Sequence, residues 1–382
     1  MPNKYKQFGV FSAVALSILV LLLSFNVSFA ENTDSTHTEY PEGETESQVN
    51  PHEVAPENEK FNAGKLIIEH ISDAYDWHIA GHIAIPLPVI LYSDKGFDIF
   101  MSSAFEHGHA IYKGKQNYAL KEGHIKVVND NGEENEEATS QLWDISITKN
   151  VASLFVSLAL MLWIFLTVAK AYARNPGKAP KGLQSWVEPM IIFVRDDIAI
   201  SAIGEKKYKK YLPFLLTAFF FIWINNLMGL IPLAPGGANV TGNIAIAMTL
   251  AIIVFVITVF SGNKNYWRHI VAMPGVPVGV LALLTPIEII GVFLKPFVLM
   301  IRLFANILAG HIIALSFFSL IFIFAEMNTG LGFGVSILSI AFTVFMGMLE
   351  LLVAFLQAYV FTLLAAMYFG SAVEEHHHEE HH

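Results

Sequence analysis

The side chains best equipped for chemistry in this chain sit where water is scarce. Arg302 lies near the middle of an apolar run from Phe297 to Phe324, in which the only other strongly polar side chains are Asn306 and His311. A guanidinium at membrane depth costs at least ~2.5–3.5 kcal/mol. A guanidinium keeps its proton at any working pH, so it cannot shed its charge to escape that cost. Such a group suits electrostatic work and cannot relay protons. At about 100° per residue, Asn306 falls about 40° from Arg302 around a helix, and His311 about 180° away. Lys295 and Glu288 fall on nearly the Arg302 stripe if the helix continues through Pro296. One side then carries a permanent cation and the other a group that titrates near neutral pH. Glu350 and Gln357, seven residues apart and nearly aligned, stand in a second apolar stretch. If the two stretches form a hairpin closed near Gly330, His311 and Glu350 lie at comparable distances from the turn and can meet. A His–carboxylate pair with amides nearby resembles a hydrated proton path. The plainer reading is that these groups only hydrogen-bond one helix to the other. That reading fails for Arg302, whose nearest acid on its own stripe, Glu288, is roughly 20 Å away along a helix.

The elements that must hold these groups are membrane spans. Of the 382 residues 54% are hydrophobic and only 15% charged, against about 25% in soluble domains. Residues 151–171, 211–231 and 244–260 each match a ~30 Å hydrocarbon core. Lys170, Arg174, Lys178 and Lys181, then Lys206, Lys207, Lys209 and Lys210, then Lys264 and Arg268 mark cytoplasmic ends. The segment from Gln184 to Ile200 reads as an interfacial helix, and that from Pro232 to Asn243 as an uncharged outer loop. The last two segments, about 276–325 and 333–372, are too long for upright spans. The second alone would be roughly 57 Å as a helix, a lean of about 60° against the usual ~0–40°. Gly330, Gly332 and Gly334 are expected to make the turn between them. Such a steep hairpin is costly unless something else packs against it.

Before the membrane region, 22 of the 33 acidic residues lie between Glu31 and Asp144, with only 7 Lys or Arg. Residues 1–30 read as a secretory signal, with Lys4 and Lys6, an apolar core and a cut before Glu31. An uncleaved first span is the alternative. Residues 31–60 form an acidic, disordered linker. Residues 61–148 form a small β-rich domain outside the cytoplasm. It opens with a helix from Phe61 to Tyr75. Strands follow at about 82–92, 97–101, 110–120, 125–128 and 142–147. The eight histidines between His37 and His124 match no metal-site spacing and read as surface residues. With no cysteine, neither disulfides nor thiolate chemistry is available. The tail, 374–382, holds His378-Glu379-Glu380-His381-His382, a zinc-protease spacing. It stands in a low-complexity segment without the helix, cleft or third ligand that such a site needs.

The arginine segment also carries a resemblance. Lys295-Pro296, Ile301-Arg302-Leu303-Phe304-Ala305-Asn306 and Ala309-Gly310 are similar to the proton-channel subunit a of F-type ATP synthases. So are the stretch from Asn226 to Pro232, Pro180-Lys181-Gly182-Leu183-Gln184 with Glu188, and Leu356-Gln357-Ala358-Tyr359-Val360-Phe361. The resemblance covers about residues 142–375. It implies an all-α polytopic membrane protein with a steeply tilted C-terminal hairpin, here preceded by the signal peptide and the acidic β-rich extracytoplasmic domain. It implies that Arg302 is the stator charge facing the rotor carboxylate and separating two half-channels. His311 and Glu350 then take the family's titratable pair, in the order His then Glu, with Asn306 and Gln357 on the proton path. Glu288, Lys295 and Asn226 are possible supporting residues, whereas Gly229 stands where some members have an acid. The implied partners are the c-ring of subunit c, the peripheral stalk subunit b, the F1 sector through the stalk, and the lipid bilayer. Protons are the implied cargo, Na⁺ not being excluded. No cofactor and no nucleic acid is implied. The chain has no phosphate-binding glycine loop, so nucleotide chemistry falls to other subunits. The implied location is the bacterial inner membrane, with the C-terminus in the cytoplasm. A self-contained secondary transporter is the competing reading, although no paired repeat supports it. An intramembrane enzyme rests on the tail alone.

Overall fold

The computed structural model describes residues 72–80, 83–121, 123–174, 176–231, 236–271, 273, 276–327 and 329–374, and four helical positions at 63, 64, 67 and 68. The signal-like segment, the acidic linker and the His/Glu tail beyond 374 lie outside the described residues. Ser72 to Tyr75 are not helical, so the helix expected to reach Tyr75 stops short of it.

Among the described residues eight short strands follow. β1 (Asp76–Ala80) pairs with β2 (Ile83–Pro86). β3 (Pro88–Ser93) lies between β4 (Gly96–Met101) and β8 (Trp143–Asp144). β6 (Asn117–Lys121) lies between β5 (Tyr112–Lys113) and β7 (His124–Val128). All pairs are antiparallel. Two expected strands are split, one at Leu87 and one at the turn around Gly114. β1 was not anticipated. Val89 and Leu91 alternate inward on β3, as the period of two requires, and bury against Phe105, Tyr118, Ile125 and Val127. The short helix α1 (Glu136–Ser140) closes this unit, capped by the Asn135 side chain accepting from Ala138 N–H.

The remainder is helical. α2 (Lys149–Arg174) leads to α3 (Leu183–Phe193), which continues through a π-helical stretch, Val194–Ile200, into a last turn at Ser201–Ile203. α4 (Tyr208–Leu230), α5 (Ile244–Ser261), the short α6 (Lys264–Val271), α7 (Val278–Met327) and α8 (Thr329–Val373) complete the chain. Among the described residues five helices, α2, α4, α5, α7 and α8, are long and apolar enough to cross a membrane. α7 runs without interruption through Pro286 and Pro296. Its 50 residues span roughly 75 Å, and the 45 of α8 roughly 68 Å, more than twice a hydrocarbon core.

One expectation is corrected here. Gly330, Gly332 and Gly334 are not the turn; they lie inside the first turns of α8. A glycine costs a helix about 1 kcal/mol, whereas backbone groups left unpaired in an apolar setting cost several, so the helix extends through them.

α8 packs on α4, and α7 on α5. The buried face of α8 is mostly small: Ala354, Ala358, Ala365 and Ala366, with Phe361 and Phe369 between them. Small residues let apolar helices approach closely. The approach is tightest at Gly370, where a Cβ would stand 2.0 Å from the Ala202 carbonyl oxygen. The C-terminal carbonyls of α8 find donors in the basic loops. Lys207 Nζ donates to Val373 O at 2.7 Å, and Asn263 N–H donates to Ala372 O at 2.9 Å. The β-rich unit sits at the other end. Its Trp77 Nε1–H donates to Gly236 O, in the loop between α4 and α5, at 2.9 Å.

Candidate functional site

The α7–α8 hairpin positions the expected residues on two faces. Arg302 is exposed on α7, and among the described residues its guanidinium has no hydrogen bond or ion pair. It lies within electrostatic reach of Tyr368 on α8. Its backbone, by contrast, is fixed. Gln357, 4% exposed, donates to the Arg302 carbonyl oxygen at 2.9 Å and accepts from Asn306 Nδ2 at 3.0 Å. The amide thus sets the register of the two helices at the arginine and leaves the charged head uncommitted. Gln357→Leu should therefore act through geometry. We expect a loss of about 2 kcal/mol of stability, about 1 kcal/mol for each of the two bonds removed, and a several-fold drop in proton-coupled turnover. Denaturant melts of the purified chain and ATP-driven vesicle acidification read the two effects.

Further along α7, His311 and Glu350 line one cavity of about 360 Å³, with Asn306, Asn225, Asn226 and Gly229. Glu350 stands beside Gly310: a Cβ on that glycine would lie 2.8 Å from Glu350 Oε1. The missing side chain makes room for the carboxylate. Glu350 Oε1 is buried without a hydrogen-bond partner, as are Asn225 Oδ1 and both polar side-chain atoms of Asn239, another lining residue. Buried polar atoms are rarely left unpaired, and a roomy polar cavity can satisfy them with water. Asn226 is tied in differently. Its Nδ2 donates to Ala354 O at 3.1 Å and its Oδ1 accepts from Thr241, so it joins α4, α8 and the loop.

Lys295 and Glu288 are engaged elsewhere. The Lys295 ammonium lies 5.5 Å from the centroid of the Tyr368 ring, a cation–π contact. Glu288 is half-buried near Tyr266 of α6. Neither lines the cavity. Asn225, Asn239 and Thr241 were not singled out in the sequence, although three polar residues bordering an uncharged loop between two spans were a usable signal. Tyr368 gave none. Among the described residues no three of His, Asp and Glu are grouped to hold a metal ion.

Comparison with known proteins gives the family of the helical region. Residues 151–370 match the family model described as ATP synthase A chain. Residues 66–145 match a family described only as a domain of unknown function (DUF8433). The chain is 44% identical over 237 residues to ATP synthase subunit a 2 of Chlorobaculum tepidum, covering 60% of this chain and 64% of that protein. It is 40% identical over 237 residues to ATP synthase subunit a of Chloroherpeton thalassium, covering 60% and 68%. It is 37% identical over 247 residues to ATP synthase subunit a of an Anaeromyxobacter species, covering 63% and 57%. The chain thus spans just under two thirds of the Chlorobaculum relative. The match of the family model to more than half of the sequence, the hairpin and the arginine segment included, shows that this chain belongs to the ATP synthase A chain family.

Proposed function

We propose that this chain is the stator subunit of the membrane Fo motor of an ATP synthase, coupling proton passage to rotation of a c-ring. Arg302 meets the ionised carboxylate of each passing rotor subunit. The cavity at His311 and Glu350 is the outer half-channel. Protons entering it reach the rotor carboxylate on one side of the arginine, and the fixed charge of Arg302 stops them from running straight through to the other side. Asn306 and Gln357 hold the arginine at the boundary. The motor sits in the bacterial inner membrane, with the peripheral stalk and the F1 sector completing it.

The carrying observation is the split of function along α7. The group that cannot lose its proton is exposed and uncommitted, and the groups that can exchange protons share a cavity that begins one turn further along the helix, at Asn306. The neighbours of Arg302 support a protein partner: Val298 and Ile301 are exposed, while Leu303 is fully buried. The bound ends of the helices support the orientation. The C-terminus of α8 is held by the lysine-bearing loops, and the β-rich unit meets the opposite loop. The positive-inside rule then puts the β-rich unit outside and the C-terminus within. One proton crossing ~100 mV yields about 2.3 kcal/mol, so several must pass for each ATP made.

The absence of native cysteine makes a direct test simple. A cysteine at Ile301 should form a disulfide with one placed a turn from the rotor carboxylate, whereas a cysteine at the buried Leu303 should not. No cross-link from Val298 or Ile301 in an assembled complex would rule out this face as the rotor contact.

A further inference from the structure

The β-rich unit takes no part in the proton path proposed above, yet it is wired to the rim of the cavity. Segment Ser72 to Trp77 makes the connection. At one end the Asp73 carboxylate accepts from Asn150 N–H at 3.0 Å, while Lys149 donates its N–H to Ala74 O at 2.8 Å and its ammonium to Ser72 O at 3.0 Å. The two backbone N–H groups among these are donors that the first turn of α2 leaves without partners. In the middle, Tyr75 and Asp76 hold the segment to its own unit through Asp144 and Ser102. At the other end Trp77, 7% exposed, gives its one N–H to Gly236 O.

The receiving backbone has no slack. Gly237 N–H donates to Met228 O at 3.3 Å, and a Cβ on Gly236 would stand 2.4 Å from Ile231 O and 2.5 Å from Met228 O. A few residues on, the same loop turns inward, where Asn239 and Thr241 line the cavity. Asn239 is buried against Gly242, with both polar atoms aimed at no protein partner. Thr241 donates to Asn226, which is bonded in turn to α8. The described part of the loop, 236–242, is therefore gripped from outside by Trp77 while its inner side forms cavity wall.

We propose that the β-rich unit is a clamp on the outer mouth of the cavity, with Trp77 as its positioning residue. By fixing the Gly236 carbonyl, Trp77 sets where Asn239 and Thr241 stand, and so how readily protons reach His311 and Glu350. This rests on the cavity being the outer half-channel, and the test separates the two ideas. Trp77→Phe keeps an aromatic ring in the buried site and removes the donor together with the smaller ring that carries it. Passive proton flux per assembled complex is measured in vesicles carrying the synthase with its F1 sector stripped off, as a function of outer pH. Flux should fall about fivefold, the scale of one lost hydrogen bond, and half-saturation should move to lower outer pH. Asp73→Asn, which weakens the other end of the segment, should shift both quantities the same way by a smaller factor. Parental flux per complex with parental pH dependence in both variants overturns the clamp, even if less complex assembles, because a purely structural anchor changes amount alone. A parent complex that passes no protons refutes the half-channel reading, and the clamp falls with it.

Discussion

Arg302→Ala should abolish proton-driven ATP synthesis while leaving the subunit folded and assembled. The loss should be roughly 10²-fold or more, the usual scale when a preorganised charge facing a reacting group is removed. Retention of the fold follows from the environment. The guanidinium is exposed and, among the described residues, forms no hydrogen bond or ion pair, so its truncation leaves no buried group orphaned. Removing a cation from membrane depth even relieves an insertion cost of ~2.5–3.5 kcal/mol. The Gln357 bond survives, because it is made to the Arg302 carbonyl and not to the side chain. Arg302→Lys separates charge from permanence. An ammonium supplies the same sign, but when desolvated it loses its proton far more readily than a guanidinium. It should retain a fraction of activity that declines as the pH is raised. Synthesis in vesicles under an imposed pH gradient, normalised to the subunit content of the membrane, is the measurement. Preserved synthesis in Arg302→Ala would remove the stator assignment, and loss of the assembled complex would show that the side chain has a structural role that its surroundings do not reveal.

How much of this was readable beforehand depended on range. Arg302 was legible because a permanent charge in an apolar run has few explanations and needs no knowledge of neighbours. The alignment of Lys295 and Glu288 with Arg302 required a helix unbroken at Pro296, and α7 is unbroken there. The hairpin was legible from length, since segments this long cannot stand upright in a bilayer. What failed was local punctuation overruled by context. The three glycines near 330 read as a turn, yet helical hydrogen bonding prevailed. What stayed invisible was long-range contact. Lys295 lay on the stripe of the arginine, but Tyr368, more than seventy positions on, claims it. Trp77 read as one more aromatic near a strand, and only the fold brings its indole to Gly236, 159 positions away. Asn239 and Asn225 belong to different elements, and neither is informative until the cavity exists. The unit between β1 and β8 was legible as strand and turn, but its attachment to the membrane region was not.

Exchanging the members of the titratable pair is the sharper test of the cavity. His311→Glu places two carboxylates on one small cavity wall. Like charges there cannot both ionise easily, and the site loses its imidazole. Glu350→His places two imidazoles there and removes the only carboxylate lining the cavity among the described residues. Each single change should lower ATP-driven proton pumping by about 10²-fold, the lower end of what a positioned acid or base contributes. The double exchange, His311→Glu with Glu350→His, restores one group of each kind and should recover at least about tenfold over the better single variant. Recovery will be incomplete for a steric reason on the page. Gly310 leaves just enough room for a carboxylate, with a Cβ position 2.8 Å from Glu350 Oε1, and an imidazole at 350 is bulkier. Moving the pair without moving its pocket therefore costs something even if the chemistry is symmetric. Damage in the double variant equal to that in the singles would count against their working as an exchangeable pair. Pumping unaffected by either single change would mean that protons take another route past Arg302.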